Sequence, residues 1–281
     1  MPMPQLLSNF LDCFSCCGQG AKDARHDQYL QPLTLLQPQP HAVSVDELLE
    51  QSSAARERVW RSLGSLEPFA LGQSPGSGSL MAGPKWPAVR QSFRVIHRPS
   101  GNVMIVSDGL SDPFDDIHEG ENNVNGFGLE FYIETPAEEI GTSLSDIKKS
   151  WQFQLLFTVS QLAAGHGGIS NIIDDMQLLS TEAEGVNEAI PEEARRALVN
   201  RAGRVGALLG LTDTRPGAAD YVPERIEGMP LTDVRLVNIK LITLAELKLI
   251  TDRGAEGRRK LSELLQGPER LASSIRRESV L

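Results

Sequence analysis

The chain has few cysteines, no long apolar run and little aromatic content. Only Cys13, Cys16 and Cys17 occur among its 281 residues, so no disulfide can join distant parts of a core. No run reaches the roughly 18 apolar residues that a membrane-spanning helix needs, and no lysine or arginine precedes the first apolar stretch as in a secretory signal. We therefore expect no integral membrane segment and a cytoplasmic location, where free thiols stay reduced.

The chain also has fewer positively than negatively charged residues. The chain carries 27 Lys and Arg against 37 Asp and Glu, which gives a net charge of −10 and a pI near 5.1. Because proteins bind the phosphate backbone through clustered cations, this balance argues against a nucleic-acid partner. It favours a protein partner with a basic surface.

The sequence lacks the common catalytic signatures. It contains neither a G-x-S-x-G nucleophile nor an H-E-x-x-H metal motif, and its Gly-rich stretch lacks the Gly-Lys-Ser/Thr of a phosphate loop. His166 lies between glycines, but without a second catalytic group at a motif spacing it predicts a helix-ending turn. We therefore predict a non-enzymatic binding protein without a cofactor, with an enzyme of unrecognised site as an alternative.

Residues 1–85 are interpreted as an N-terminal extension. Residues 6–17 predict a short helix that ends at Gly18. Three roles stay open for the cysteines of this helix: metal binding, redox chemistry and acylation. The fourth alternative is a terminal helix that has none of these roles. Residues 19–41, with three prolines, and residues 72–87, rich in Gly, Ser and Pro, predict two linkers.

Residues 44–63, between these linkers, predict a helix. Ser44 followed by Glu47 forms a capping box, which marks a helix start. The apolar side of this helix consists of Val45, Leu48, Leu49, Val59 and Leu63. We expect the polar side to be solvated, and it consists of Arg56, Glu57, Arg58 and Arg61.

The clearest strand covers residues 127–135. Its apolar residues alternate with Gly128, Glu130, Tyr132 and Glu134, the period of two that indicates one buried face. Asn125-Gly126 ahead of the strand is a turn or bulge signal, because both residues tolerate positive φ. Pro136 ends it, since proline has no N–H to give to a ladder.

Two stretches around this strand resemble the paired signature of the suppressor-of-fused family. They are GLSDPF at residues 109–114 and NGFGLEFYIET at residues 125–135, which match Gly-Leu-Ser followed by Gly-Phe-Gly-hydrophobic-Glu-hydrophobic. Residues 237–265 resemble the family's strand, Thr-x-x-Glu-Leu helix, Gly-rich turn and Leu-rich helix. The resemblance covers about residues 93–265 and implies a fold and a binding role, with no reaction attached.

We therefore predict an α+β fold in which residues 86–267 form a suppressor-of-fused-like domain with a mixed sheet. Residues 268–281 would be a C-terminal tail, either a short helix or a disordered end. The predicted strands cover residues 92–97, 103–107, 127–135, 176–179, 204–211 and 233–241. The predicted helices cover residues 145–164, a short segment from Pro191, residues 243–253 and residues 255–266.

The acidic loop between the two motifs is the strongest candidate binding site. Its carboxylates are Asp112, Asp115, Asp116, Glu119 and Glu121. Their spacing departs from that of a calcium-binding EF-hand loop, and nothing separates an acid–base pair from ordinary surface charge. A solvated loop without a role stays open, beside our hypothesis of a docking surface for a basic partner.

The resemblance also implies a class of function. The animal member of the family sequesters a transcription factor, and stand-alone bacterial members look like immunity proteins that neutralise toxins encoded beside them. This chain lacks the large second domain of the animal protein, which favours a bacterial-type immunity protein that binds a toxin or effector in the cytoplasm. The alternative is a secreted effector whose Cys-rich N-terminus directs delivery or membrane anchoring.

Overall fold

The computed structural model describes residues 43–72, 92–114, 124–267 and 270–281. Residues from Val43 to Leu281 form one compact unit. The predicted helix over residues 6–17, its three cysteines and most of the two predicted linkers lie outside the described residues.

A mixed β-sheet with helices packed against it confirms the predicted α+β class. In the described residues the sheet has nine strands: β1 (Ser65–Leu66), β2 (Leu71–Gly72), β3 (Ser92–His97), β4 (Asn102–Asp108), β5 (Leu129–Pro136), β6 (Leu179–Ala183), β7 (Val205–Leu209), β8 (Arg225–Ile226) and β9 (Val234–Ile242). The order is β1-β3-β4-β5-β9-β7-β6, with β2 also paired to β3 and β8 to β9. Strands β5 and β9 run parallel, and the neighbouring pairs β4–β5 and β7–β9 run antiparallel.

The helices follow the order α1 (Val45–Leu63), α2 (Leu144–Lys149), α3 (Trp151–Gly165), α4 (Ser170–Met176), α5 (Glu192–Leu198), α6 (Leu244–Arg253) and α7 (Ala255–Leu264). No helix in the part of the chain that the structure describes is long and apolar enough to cross a membrane. Helices α1 and α6 begin with capping boxes at Ser44 and Thr243, as the sequence predicts. The side chains of each box accept hydrogen bonds from backbone N–H groups that have no partner within the helix.

Strand β5 lies in the centre of the sheet and is buried on both faces. Its residues Leu129, Phe131 and Ile133 pack into one core with α3, and Tyr132 belongs to a second core on the other face with residues of α1, α6 and α7. The face predicted to be buried is buried, and the second face is buried as well, because helices cover both sides. As a consequence Glu130 is fully buried.

The predicted helix over residues 145–164 is two helices. Ser150 adopts an extended conformation with ψ of 155°, and its hydroxyl accepts a hydrogen bond from the Phe153 N–H, so it ends α2 and caps α3. Ser143, two residues before the predicted start of the helix, caps α2. The Ser150 hydroxyl also donates to the Ile147 carbonyl oxygen at 2.7 Å, and such bonds to the neighbouring backbone offer an alternative to a continuous helix.

Five of the six predicted strands lie within about two residues of their observed positions, and the strand predicted at residues 176–179 is wrong. Met176 ends α4, and Gln177 turns the chain with a φ of 62°. The observed strand is β6, which begins at Leu179 and includes the polar residues Thr181 and Glu182. Strand β6 lies at the edge of the sheet, where polar side chains are tolerated.

The C-terminal tail is part of the core. Ser273 is fully buried, its N–H donates to the Glu134 carbonyl oxygen at 2.7 Å, and a bridge joins Glu134 to Ala272. Arg277 lies 2.7 Å from the buried carboxylate of Glu246. The expectation of a short helix or a disordered end is therefore wrong for residues 270–281.

The packing of α3 against β5 gives a first prediction. Leu129→Asp should destabilise the fold by about 3 kcal/mol or more because it buries an unpaired charge, and Trp151→Ala should do so by opening a large cavity. Leu162→Ala, on the same helix but 40% exposed, should cost less than about 1 kcal/mol and serves as a control. Urea denaturation measures the three free energies of unfolding, and unchanged stability of Leu129→Asp or Trp151→Ala would contradict this packing.

The sequence predicts a division of the chain near residue 85, whereas the packing of α1 leads to the opposite expectation, and an experiment can separate the two. Trp60 is fully buried against the sheet, and β1 and β2 both pair with β3. We expect residues 43–281 to unfold cooperatively and residues 86–281 to be less stable or insoluble. Urea denaturation of both chains measures this, and equal stability would instead support the division at residue 85.

Candidate functional site

The two stretches that carry the family resemblance meet at the carboxyl group of Glu130. The backbone N–H groups of Gly109 and Ser111 donate to its Oε1 at 3.0 and 2.9 Å, and the Ser111 hydroxyl donates to the same oxygen at 2.7 Å. Oε2 lies 2.5 Å from the hydroxyl of Ser107. One buried side chain of β5 therefore holds the Gly-Leu-Ser turn that follows β4.

The side chain of Arg56, on helix α1, extends to the same carboxyl group. Its Nε lies 2.5 Å from Asp108 Oδ1 and 3.8 Å from Glu130 Oε1, and its Nη2 lies 2.7 Å from Asp112 Oδ1. Its Nη1 donates to the Ser111 hydroxyl at 3.2 Å. We refer to Arg56, Asp108, Asp112 and Glu130 as the Arg56 cluster. The cluster joins helix α1, the end of β4, the turn and β5.

The electrostatics of the Arg56 cluster follow from its burial. Burial disfavours the Arg56 cation, but the three carboxylates outweigh it, so the pKa of Arg56 is raised above its ordinary value. Burial raises the pKa of Glu130 to about 7, against the attraction of Arg56, which lowers it. The arginine therefore stays charged at neutral pH, and burial brings the pKa of Glu130 close to neutral pH.

Gly126, in the second motif, lies against the Gly-Leu-Ser turn. Gly126 has a φ of 47°, and a Cβ there would clash with the carbonyl oxygens of Leu110 and Asp112. The Phe127 N–H donates to the Leu110 carbonyl oxygen at 2.9 Å. Asn125 also holds this turn in place, because its Nδ2 donates to the Thr232 carbonyl oxygen at 2.6 Å. The backbone of the two motifs is therefore in direct contact, which needs a residue without a side chain.

The residues predicted to bind a partner divide into two groups. Asp112 is described, and its side chain is 11% exposed and bound to Arg56. It fixes the start of the acidic loop to the fold. The other four lie outside the described residues: Asp115, Asp116, Glu119 and Glu121. Their role in docking stays a prediction.

Across residues 43–72, 92–114, 124–267 and 270–281, no group of three or more His, Cys, Asp and Glu side chains is placed to hold a metal ion. His166 is exposed at the end of α3, where its N–H bonds to the Leu162 carbonyl oxygen, as expected for a helix-ending turn.

Sequence reasoning missed Arg56 and Glu130. Arg56 was expected on a solvated face, yet it is 3% exposed. A signal for its position exists, because Arg56 follows Leu48 and Ser52 and precedes Trp60 at intervals of four residues, which places all four on one stripe of the helix. For Glu130 no local signal exists, since alternation alone does not tell a solvated face from one covered by a distant helix.

The chain was compared with known proteins. No protein-family model matches it, and no curated protein matches it.

The Arg56 cluster gives a prediction that needs no partner. Arg56→Met should cost about 3 to 5 kcal/mol of unfolding free energy, because it leaves buried carboxylates without their cation. Arg61→Met is the matched control on the same helix: Arg61 is 66% exposed and pairs with Glu57 at one helical turn. That pair is worth less than about 1 kcal/mol.

Urea denaturation at neutral pH measures both variants. Equal, small effects of the two substitutions would show that the Arg56 cluster does not hold α1 to the sheet.

Proposed function

We propose that this protein is a non-enzymatic inhibitor of the immunity type, which binds a toxin or effector with a basic surface in the cytoplasm. The proposal is supported by the resemblance of residues 93–265 to the suppressor-of-fused family and by the net charge of −10. It assigns no cofactor and no reaction to the chain.

The distribution of charge near the central strand is the observation that carries the proposal. Residues 108–121 contain six carboxylates and no lysine or arginine. The structure describes the start of this segment, where Asp108 and Asp112 are bound to Arg56. Two of the six carboxylates therefore have a cation within the fold, and the other four are those we assign to the partner.

A firm base for the acidic loop suits such a role. Arg56, Glu130 and the backbone contacts of Gly126 fix the chain as it leaves β4 and as it enters β5. Recognition segments placed on a rigid scaffold lose less entropy on binding than free ones. A loop of one charge sign also accelerates encounter with an oppositely charged partner.

The test begins with the partner itself. The tagged full chain, purified from its source organism, should retain a partner that carries a basic surface, and that partner's activity should be reduced in the complex.

The double variant Asp115→Lys/Asp116→Lys should then bind the purified partner more weakly by about 1 to 3 kcal/mol, mainly through slower association, because like charges face each other. Stopped-flow association at low and high salt measures the rates.

A matched charge reversal separates the loop from net charge. Asp252 and Glu256 of α6 and α7 have side chains 55% and 63% exposed, so Asp252→Lys/Glu256→Lys changes the total charge equally at another surface. This control should keep most of the wild-type affinity. If both double variants bind like wild type at low salt, the acidic loop is solvated and has no part in docking.

A further inference from the structure

In the described part of the chain, β6 is the last strand of the sheet and pairs with β7 alone. Natural proteins protect such an edge with proline, lysine, a bulge or a covering segment, because its free backbone groups can pair with another strand. Strand β6 reads Leu-Ser-Thr-Glu-Ala over residues 179–183 and contains neither proline nor lysine. Its pairing with β7 is continuous, without a bulge. The edge therefore has none of these protections within the strand itself.

The hydrogen bonds of β7 show which backbone groups of β6 face the open edge. The Gly210 N–H, directly after β7, donates to the Asn238 carbonyl oxygen of β9 at 3.0 Å. Because the bonding direction alternates along antiparallel strands, the even-numbered residues of β7 also face β9 and its odd-numbered residues face β6. The partners of these odd-numbered residues in β6 are Leu179, Thr181 and Ala183. The backbone N–H and carbonyl groups of Ser180 and Glu182 are therefore directed away from β7.

The outward backbone groups of Ser180 and Glu182 are open to a further strand. None of them has a hydrogen-bond partner among the residues that the structure describes. Both residues are partly exposed. The Glu182 carboxylate accepts a hydrogen bond from Asn200 Nδ2, which leaves the backbone of this residue untouched. Another extended chain can therefore reach these groups without displacing a bond of the fold.

This edge is complementary to a second copy of itself. If two copies align antiparallel with Thr181 opposite Thr181, Ser180 of each copy lies opposite Glu182 of the other. The pairing joins outward-facing residues only, so each Ser180–Glu182 pair exchanges both of its backbone hydrogen bonds. It sets no like charges opposite each other, and the two threonines form a favourable cross-strand pair. The neighbouring register, centred on Glu182, would instead set the two Glu182 carboxylates against each other.

We propose that β6 is a dimerisation edge, through which two copies of this chain join their sheets by antiparallel pairing of residues 179–183 about a two-fold axis at Thr181. Such an interface uses the same residues of both copies, so the assembly closes at the dimer. The pairing follows from the backbone of β6 and does not depend on the proposed function.

Sedimentation equilibrium of the full wild-type chain tests the association itself. We expect a reversible monomer–dimer equilibrium at micromolar protein concentrations. The net charge of −10 on each copy opposes association, so the dissociation constant should fall by about threefold or more from low to high salt. Docking of a basic partner on the acidic loop should have the opposite salt dependence. A chain that stays monomeric up to millimolar concentration at high salt would overturn the proposal.

Substitutions of Ser180 test the register. Ser180→Lys places a cation opposite Glu182 of the other copy and should lower the dissociation constant by about threefold to tenfold, whereas Ser180→Glu should raise it by a similar factor. Ser180→Pro removes the outward N–H without breaking a bond to β7 and should raise the dissociation constant at least about tenfold. The lysine and glutamate substitutions decide the register even if Ser180→Pro does not fold.

Ser53 provides the matched control. It is exposed on α1, which packs against β1 and β3 at the opposite end of the sheet. Ser53→Lys and Ser53→Glu make the same changes of charge and should alter the dissociation constant by less than about twofold. Equal effects at Ser53 and Ser180 would assign the changes to net charge and overturn the proposal. If wild type is monomeric but Ser180→Pro loses the copurified partner, the edge takes a strand of that partner and self-pairing is overturned.

Discussion

The structure depends on the burial of one carboxyl group in the centre of its sheet. Glu130 lies on a strand covered by helices on both faces, and a carboxyl group in such a place must have hydrogen-bond donors or a proton. The Gly-Leu-Ser turn brings two N–H groups and the Ser111 hydroxyl near it, and Ser107 of β4 brings a second hydroxyl. Arg56 brings the cation from α1. The glycine at 126 is required because the backbone of the second motif contacts that turn. The residues that suggest a family thus act together as one structural unit.

Local pattern predicted the elements better than it predicted their surroundings. Alternation located β5 and β9, and short apolar runs located β3 and β4. Capping boxes located the starts of α1 and α6, because all these signals depend on neighbours in sequence. The burial of Arg56 and Glu130 depends on contacts between residues 74 positions apart, which no local pattern contains. The same holds for the tail, where Ser273 is fixed by Glu134. The break at Ser150 was missed because several serines could cap a helix there and their choice depends on packing.

The carboxylates of residues 108–121 fall into two groups. Carboxylates close to the sheet are bound within the fold, and those farther along residues 115–121 are the ones assigned to a partner. This division explains why substitutions in the Arg56 cluster should change stability, whereas substitutions in the loop should change association rates. It also keeps the fold, which is described, separate from the inhibitor function, which is proposed.

The most direct measurement of the central claim is a double-mutant cycle between Arg56 and Glu130. Unfolding free energies of wild type, Arg56→Met, Glu130→Gln and the double variant are compared at about pH 8, where Glu130 is ionised. If Arg56 compensates the buried carboxylate, Arg56→Met should cost at least about 1 kcal/mol less in the Glu130→Gln background than in wild type. Additive effects of the two substitutions would show that the two residues are not coupled, and the cluster would then not be the interaction on which this fold depends.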